Sequence, residues 1–446
     1  MILLKYDKGS LLIHGNIGTP YGQWDPRVGC FRAMALYYPQ ILSYLKRSRL
    51  SYRDKAANPL PIATLKSEVK LRSYQKGALD AWFAAGKRGV IVLPTGAGKT
   101  FVAIKAIEKL NTSTLVIVPT LDLLDQWRQQ LGSLFEVEVG AFGGGEDTLR
   151  AITVSTYDSA YIRAEQLGNK FMFIIFDEVH HLPAPSYTQI AEMYIAPHRM
   201  GLTATYERED GGHFNLPKLI GGPVYQLGVD ALAGKHLSPF THEKILVDLV
   251  PEEMELYKKD YGFFKRFLSK RGISLRSYED FKRFIMRTGT DPEAREALLA
   301  RNRAIKIALN SKAKIDILAD LLRNFRKEKA LIFTRYNQLV YRISGRFMIP
   351  AITHQTPREE RREILEKFKA GKYKAIVTSQ VLDEGVDVPD ASIGFILSGT
   401  GSSREYIQRL GRILRKRPGK QAKLIEIVAQ QTIEARMSQK RRRKRG

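Results

Sequence analysis

From residue 90 onward, short apolar runs alternate with amphipathic stretches. VIVL at 90–93, LVIV at 115–118 and FIIF at 173–176 are too short for helices and rich in β-branched residues, so they predict buried parallel strands. Between the first two, Val102, Ala103, Ala106, Ile107 and Leu110 recur at helical spacing. A strand, a helix and a second buried strand in that order predict an α/β sheet covered on both faces. The same grammar returns late in the chain. LIF at 331–333, AIV at 375–377, FIL at 395–397 and LIEIV at 424–428 read as strands, separated by helical patterns at about 358–370 and 403–415. Two α/β units are therefore expected, over 63–240 and 300–446. Residues 1–62 form a further small unit, with NPLP at 58–61 as its linker. Residues 241–299 have a different texture, with eight aromatics between 251 and 290 interleaved with basic residues. This reads as a helical insertion whose rings form its own core, whose cations face a nucleic acid, or both.

Length and composition narrow the class. With 446 residues, 44% apolar and 26% charged, the chain has material for several packed cores, and wholesale disorder is excluded. No apolar stretch approaches ~18 residues and the start MILLKYDKGS lacks a secretory h-region, so an intracellular, soluble protein is expected. The single cysteine, Cys30, excludes intramolecular disulfides, a four-cysteine zinc site and a cysteine-bound iron–sulfur cluster. The formal charge is +26, and its distribution is uneven. Residues 1–62 carry nine Lys/Arg against three Asp, residues 251–290 carry ten against six acids, and the last eleven residues carry seven with no acid. The accessory segments are thus more basic than the bulk, as contact with phosphate backbones requires. A solvated charged face and a disordered tail remain the plain alternatives.

Two motifs carry chemistry. VIVLPTGAGKTFVAIKAI is a strand, a glycine loop and a helix in the order that phosphate binding needs. Across Thr95, Gly96, Ala97 and Gly98 the glycines let backbone N–H groups turn toward phosphate oxygens at the positive end of the following helix. Lys99 is placed to reach the β/γ-phosphates of ATP, and Thr100 offers a hydroxyl to Mg²⁺. Leu93 stands where the general pattern has glycine. The second motif, FIIFDEVHH, sets Asp177 and Glu178 at the carboxyl end of a buried strand, where α/β sheets bind ligands. Asp177 suits Mg²⁺ coordination and Glu178 activation of the attacking water, while His180 could link the site to a neighbouring segment. The pair His180–His181 lacks further ligands at metal-site spacing.

With these motifs in place the chain resembles the superfamily 2 helicases and translocases. GLTAT at 201–205 matches the coupling motif of that superfamily, with Thr203 and Thr205 as its hydroxyls. TRYNQ after LIF, VLDEGVDVPDA at 381–391 and QRLGRILR at 408–415 match its later motifs. The resemblance implies nucleotide contacts from Gln408, Gly385 and Asp387. Arg412 and Arg415, three apart on one helix face, would act as arginine fingers from the opposite motor half. LRSYQKGAL at 71–79 resembles the region that reads adenine, with Arg72 and Gln75 as the candidates. An exposed helix-start residue is the plain alternative for Gln75.

The closer resemblance is to the XPB family, the xeroderma pigmentosum group B DNA repair helicases, in their compact archaeal form. The box reads DEVH, Arg208–Glu209–Asp210 follow GLTAT as that family's RED motif does, a basic and aromatic insertion resembles its thumb, and a short domain precedes the motor. The implied architecture is α/β, with two RecA-like parallel-sheet motor domains in tandem, a small N-terminal damage-recognition-like domain and a thumb-like insertion. ATP and Mg²⁺ are the implied cofactors. The implied partner is DNA, duplex, forked or bubble, gripped by Thr120 and Thr156 in the first half and by Thr334, Arg335 and Thr378 in the second. The resemblance further implies 3′→5′ movement by a monomer in nucleotide excision repair, strand opening by the RED loop, a repair nuclease as partner and no membrane. The location is then cytoplasmic and nucleoid-associated, or nuclear in a eukaryote. Three rivals stay open: a duplex translocase or restriction-complex motor that never separates strands, a scaffold with a degenerate ATPase, and a small-molecule kinase, which would not need the second α/β half.

Overall fold

The computed structural model describes residues 1–446 apart from 16, 209, 233, 237, 380–390, 399–420 and 444–446, with the backbone alone for 440–443. The chain divides into two compact units, Met1–Ala231 and Leu232–Gly446. Among the described residues no helix is long and apolar enough to cross a membrane.

The first unit holds two sheets. Residues 2–55 build a five-stranded sheet that is antiparallel except where Ile2–Asp7 runs parallel to Tyr52–Lys55. It encloses Leu4, Leu11, Ile13, Ile41 and Leu45 with the helix Tyr38–Arg47. This small sheet is seated on the larger one: the Tyr6 hydroxyl lies 2.9 Å and 3.0 Å from the carbonyl oxygens of Ala164 and Met193. The linker is tied down as well, since the Asn58 N–H donates to the Asn169 carbonyl and the Asn169 amide to the Ala56 carbonyl.

The larger sheet has eight strands in the order Pro223–Gln226, Arg88–Val92, His198–Thr203, Phe173–Asp177, Thr114–Val118, Ile152–Thr156, Gly140–Gly143, Glu146–Thr148. All neighbours are parallel except the last pair. The three apolar runs expected as strands all fall within four consecutive strands of this sheet, and every residue of Thr114–Val118 and Phe173–Asp177 is buried. The helix Lys99–Leu110 buries Val102, Ala103, Ala106 and Ile107, the face its spacing predicts. Arg199 is fully buried without a carboxylate partner among the described residues; its guanidinium donates to the carbonyls of Ala191, Tyr194, Ala196 and Leu219. It thereby satisfies carbonyls left over near the ends of two short helices.

The second unit carries a six-stranded sheet, parallel throughout, in the order Phe240–Val247, Ala422–Ala429, Ile393–Ile396, Ala330–Phe333, Ala375–Thr378, Ala351–Ile352. The helix Arg358–Lys369 falls where its periodicity puts it, and the pattern at 403–415 lies outside the described residues. One boundary differs from the reading by sequence. Residues 240–247 pair along their whole length with Ala422–Ala429 and so belong to the second sheet, and the helical insertion begins only at Pro251. An edge strand has one free side, so FTHEKILV lacks the continuous apolar run that marks the inner strands. The insertion itself is three helices, Pro251–Lys270, Tyr278–Arg287 and Pro292–Leu309, closed around Phe264, Phe267, Phe284, Ala294 and Ala297. Most of its rings are therefore core, and most of its cations lie outside.

Candidate nucleotide and nucleic-acid site

The glycine loop joins Arg88–Val92 to Lys99–Leu110. Gly96 and Gly98 have φ of 83° and 75°, the left-handed region that a residue with a Cβ rarely enters, and Gly98 is the N-cap of the helix. A Cβ on Gly98 would also stand 2.5 Å from the Gln75 amide nitrogen. The first-turn N–H groups of such a helix have no intrahelical acceptor. Lys99, 9% exposed, donates to the Leu93 carbonyl at 3.1 Å and has no carboxylate partner among the described residues. The Thr95 hydroxyl is enclosed without a hydrogen-bond partner among the described residues. A buried ammonium without a counter-charge, an orphaned hydroxyl and a helix N-terminus together fit a polyphosphate.

Gln75 is 4% exposed, so the exposed-helix alternative does not hold. Its amide nitrogen donates to the Ala97 carbonyl at 2.9 Å and lies 3.3 Å from that of Gly98, while its oxygen accepts the Arg72 N–H at 2.9 Å. The residue thus fastens the glycine loop to the helix Ser73–Ala84, and one amide-oxygen lone pair is left over. Tyr74, not foreseen from the sequence, donates to the same Ala97 carbonyl at 2.7 Å.

The second group stands one strand away. His198–Thr203 separates the loop strand from Phe173–Asp177, which sets the two strands about 10 Å apart. The Leu93 N–H donates to the Thr203 carbonyl at 3.0 Å, joining the loop to the GLTAT segment. Asp177 is buried; one carboxylate oxygen accepts the Trp127 indole N–H at 2.8 Å, the other accepts the Glu178 N–H at 3.0 Å, and the Tyr157 hydroxyl donates to its backbone carbonyl at 3.0 Å. Trp127 and Tyr157 also escape a reading of the sequence, because a tryptophan on an amphipathic helix and a tyrosine after a strand look like ordinary core. Glu178 has φ of 47°, in the left-handed region that costs a side-chain-bearing residue some strain. His180 Nδ1 lies 3.5 Å from Glu178 Oε2 and 3.3 Å from the Thr203 hydroxyl. The Thr203 hydroxyl lies 2.9 Å from the Thr205 carbonyl and accepts the Thr205 N–H at 3.2 Å. The Thr205 hydroxyl is enclosed and has no hydrogen-bond partner among the described residues.

A chain of contacts leads from this box to the RED segment. The Arg208 guanidinium donates to the His180 carbonyl and forks onto Asp210, at 2.9 Å and 2.5 Å. The Arg208 hydrogen bond, reinforced by the Gly212 N–H at 3.0 Å, holds the Asp210 carboxyl well below the usual carboxylate range. Glu209 lies outside the described residues, as do Gly385, Asp387, Gln408, Arg412 and Arg415.

The residues expected to touch a strand divide into two kinds. Thr120 and Thr156 follow or close neighbouring strands and cap the helices that come after, their hydroxyl oxygens accepting the N–H of Leu123 and of Ser159. Each keeps its own O–H to donate. Thr334 and Thr378 depart from the expectation: both are fully buried, and their hydroxyls turn to the carbonyls of Tyr336 and Ser379. A hydroxyl at a strand end finds backbone close by, and these two hydroxyls close the end of the sheet. Arg335 is half-buried, its N–H on the Ser398 hydroxyl and its guanidinium over the Tyr336 ring. No cluster of three His, Cys, Asp or Glu that could hold a metal occurs among the described residues.

Three family models match the chain: the xeroderma pigmentosum group B helicase damage recognition domain over 4–56, the type III restriction enzyme res subunit over 68–208, and the helicase conserved C-terminal domain over 313–417. The DNA 3'-5' translocase XPB2 of Sulfurisphaera tokodaii is 45% identical over 99% of this chain and 100% of its own length. The DNA 3'-5' helicase XPB of Mycobacterium tuberculosis is 30% identical over 88% of this chain and 66% of its own. The general transcription and DNA repair factor IIH helicase/translocase subunit of Saccharomyces cerevisiae is 27% identical over 92% and 47%. The chain therefore spans the whole of the first relative and about half to two thirds of the longer ones. Among solved structures, the helicase domain of Pyrococcus furiosus Hef shares the fold, with a TM-score of 0.52 at 19% identity over 83% of this chain and 97% of that one. With full-length similarity to an XPB protein and the damage-recognition model at its start, the chain belongs to the XPB family of DNA helicases and translocases.

Proposed function

We propose that this protein uses ATP–Mg²⁺, bound at the glycine loop, to move 3′→5′ along DNA and open it in nucleotide excision repair. The observation that carries the reading is buried Lys99, without a carboxylate partner among the described residues, at the mouth of a glycine-capped helix, with Asp177 and Glu178 beyond one intervening strand. Membership in a helicase family implies ATP use. Lys99 and the first-turn amides hold the β/γ-phosphates, and Glu178 accepts a proton from the attacking water. Thr100 and Asp177 would hold Mg²⁺, which neutralises charge on the phosphates. One carboxylate with waters and phosphate oxygens is ordinary ligation for Mg²⁺, so a dense acidic cluster is not called for. Trp127 fixes the Asp177 carboxylate, and Gln75 with Tyr74 fixes the loop. Arg412 and Arg415 remain the proposed arginine fingers. Thr120, Thr156 and Arg335 are the proposed strand contacts; hydroxyls and a guanidinium on phosphates carry no base information, so tracking is independent of sequence.

The contacts from Glu178 through His180 to Arg208 make the RED segment part of the hydrolysis machinery as well as a strand-opening element. Arg208→Ala is expected to lower DNA-stimulated ATP turnover by about tenfold, since a charged hydrogen bond is worth about 1.5–3 kcal/mol, and to lower strand opening at least as much. The test measures both rates, with forked DNA for strand displacement and a triplex substrate for translocation. Strand displacement from the fork by the unsubstituted protein supports opening; triplex displacement alone favours the duplex-translocase reading. Unchanged turnover in Arg208→Ala would remove the coupling.

A further inference from the structure

The last helix of the chain and the first helix of the insertion enclose a cavity of about 400 Å³. Its position follows from the sheet. Phe240–Val247 and Ala422–Ala429 are parallel neighbours, and the helices Pro251–Lys270 and Ile433–Arg443 begin just beyond their carboxyl ends. The Gln430 N–H donates to the Val247 carbonyl at 2.9 Å and holds the two exits together. The cavity thus opens at the carboxyl edge of the parallel sheet, the edge where α/β proteins place their ligands.

Its lining is chemically one-sided. Lys258, Lys265 and Arg436 border it, all three exposed, and none pairs with a carboxylate among the described residues. Acids do occur nearby, but Asp260 is taken by Arg303 and Glu434 by Lys314. The floor is aromatic: Tyr257 and Tyr261 stack with their ring centroids 5.4 Å apart, and the Lys265 ammonium stands 5.0 Å over the Tyr261 ring. Tyr257 is buried, and its hydroxyl accepts the Ile433 N–H at 2.7 Å, which fixes the last helix to the insertion.

Gly262 supplies an independent sign. It sits in the middle of a 20-residue helix, where glycine weakens the helix relative to nearly any residue with a side chain. Close packing does not explain it: a Cβ there would meet only the flexible end of the Arg266 side chain, at 3.4 Å. What the missing side chain leaves open is the cavity that Gly262 lines.

From these observations we infer that the cavity at the root of the insertion is a phosphodiester-binding site, taking one backbone phosphate of the DNA with a sugar or base edge against Tyr261. Three cations without an acid select a polyanion, and a lone aromatic flanked by Lys accepts any base. The inference rests on the proposed DNA motor activity and adds a named site of DNA contact to it.

The test uses the full chain and a labelled forked duplex. Lys258→Gln, Lys265→Gln and Arg436→Gln together are expected to weaken DNA binding by about tenfold at moderate salt. The log–log salt slope should flatten by about one, at about 0.7–0.9 for the one phosphate no longer neutralised. ATP turnover without DNA stays at its unsubstituted value. Lys258→Arg, Lys265→Arg and Arg436→Lys together keep both affinity and slope. Gly262→Leu keeps every charge, raises helix propensity and fills the cavity, so it is expected to raise or hold the Tm while weakening DNA binding. Unsubstituted affinity and slope in the charge-removed protein overturn the site. So does full affinity in Gly262→Leu, which would leave the phosphate on the outer surface. Absence of DNA-stimulated ATP turnover in the unsubstituted protein removes the motor reading itself, a result separable from the other two.

Discussion

Lys99→Ala is expected to reduce ATP turnover by at least about a hundredfold, the cost of losing one preorganised charge at a transferring phosphoryl group. Affinity for DNA should stay close to that of the unsubstituted protein, because Lys99 is buried with its ammonium on the Leu93 carbonyl of the glycine loop. Alanine at this position leaves the loop intact: Gln75 and Tyr74 still hold the Ala97 carbonyl, and the Gly98 cap is untouched. A loss of turnover therefore reports on phosphate chemistry and not on folding. DNA-stimulated turnover that survives in this variant would place the hydrolytic site elsewhere.

The second large effect concerns stability. Lys314 and Glu434 are both essentially inaccessible, with the ammonium 2.6 Å and 2.5 Å from the two carboxylate oxygens and 2.7 Å from the Leu397 carbonyl. The Ala429 N–H adds a further hydrogen bond to Glu434 at 2.9 Å. The pair pins the last helix to the end of the sheet, next to the cavity at the insertion root. Glu434→Ala takes the bidentate carboxylate away from a buried cation, and about 3–5 kcal/mol of stability should be lost. At about 2–4 °C per kcal/mol for a unit of this size, the Tm should fall by roughly 10 °C. Replacing both partners, as Lys314→Met with Glu434→Leu, should restore most of it, since apolar side chains of similar volume remove the desolvation cost of both charges. Thermal melts of the single and double variants check this; a single variant as stable as the original would mean the pair is solvated.

Much of the motor is legible in the sequence because its determinants are local. A buried parallel strand must be a short run of β-branched residues, and a phosphate loop must place glycine, lysine and a helix start within a few positions, so 88–110 and 173–181 declare themselves. The edge strand 240–247 does not, since four consecutive polar residues, Thr241 to Lys244, break its apolar run. Contacts formed across the fold are equally hidden. Trp127 holds Asp177 from 50 residues away and Arg208 reaches the His180 carbonyl from 28 away, and neither spacing leaves a periodic trace. At Thr334 and Thr378 the motif positions match, while the fold turns both hydroxyls to backbone carbonyls beside them. Motif position alone reads Gln75 as a candidate adenine contact, and the fold shows it bracing the loop.

The central claim, that the glycine loop and the DEVH box form an ATPase coupled to DNA, is tested most directly by steady-state ATP turnover of the full chain with Mg²⁺. The measurement is made without nucleic acid and then with single-stranded, duplex, forked and bubble DNA. A low basal rate that rises severalfold with DNA, irrespective of base sequence, is the predicted result. Turnover that is absent throughout, or present and indifferent to DNA, would contradict the account.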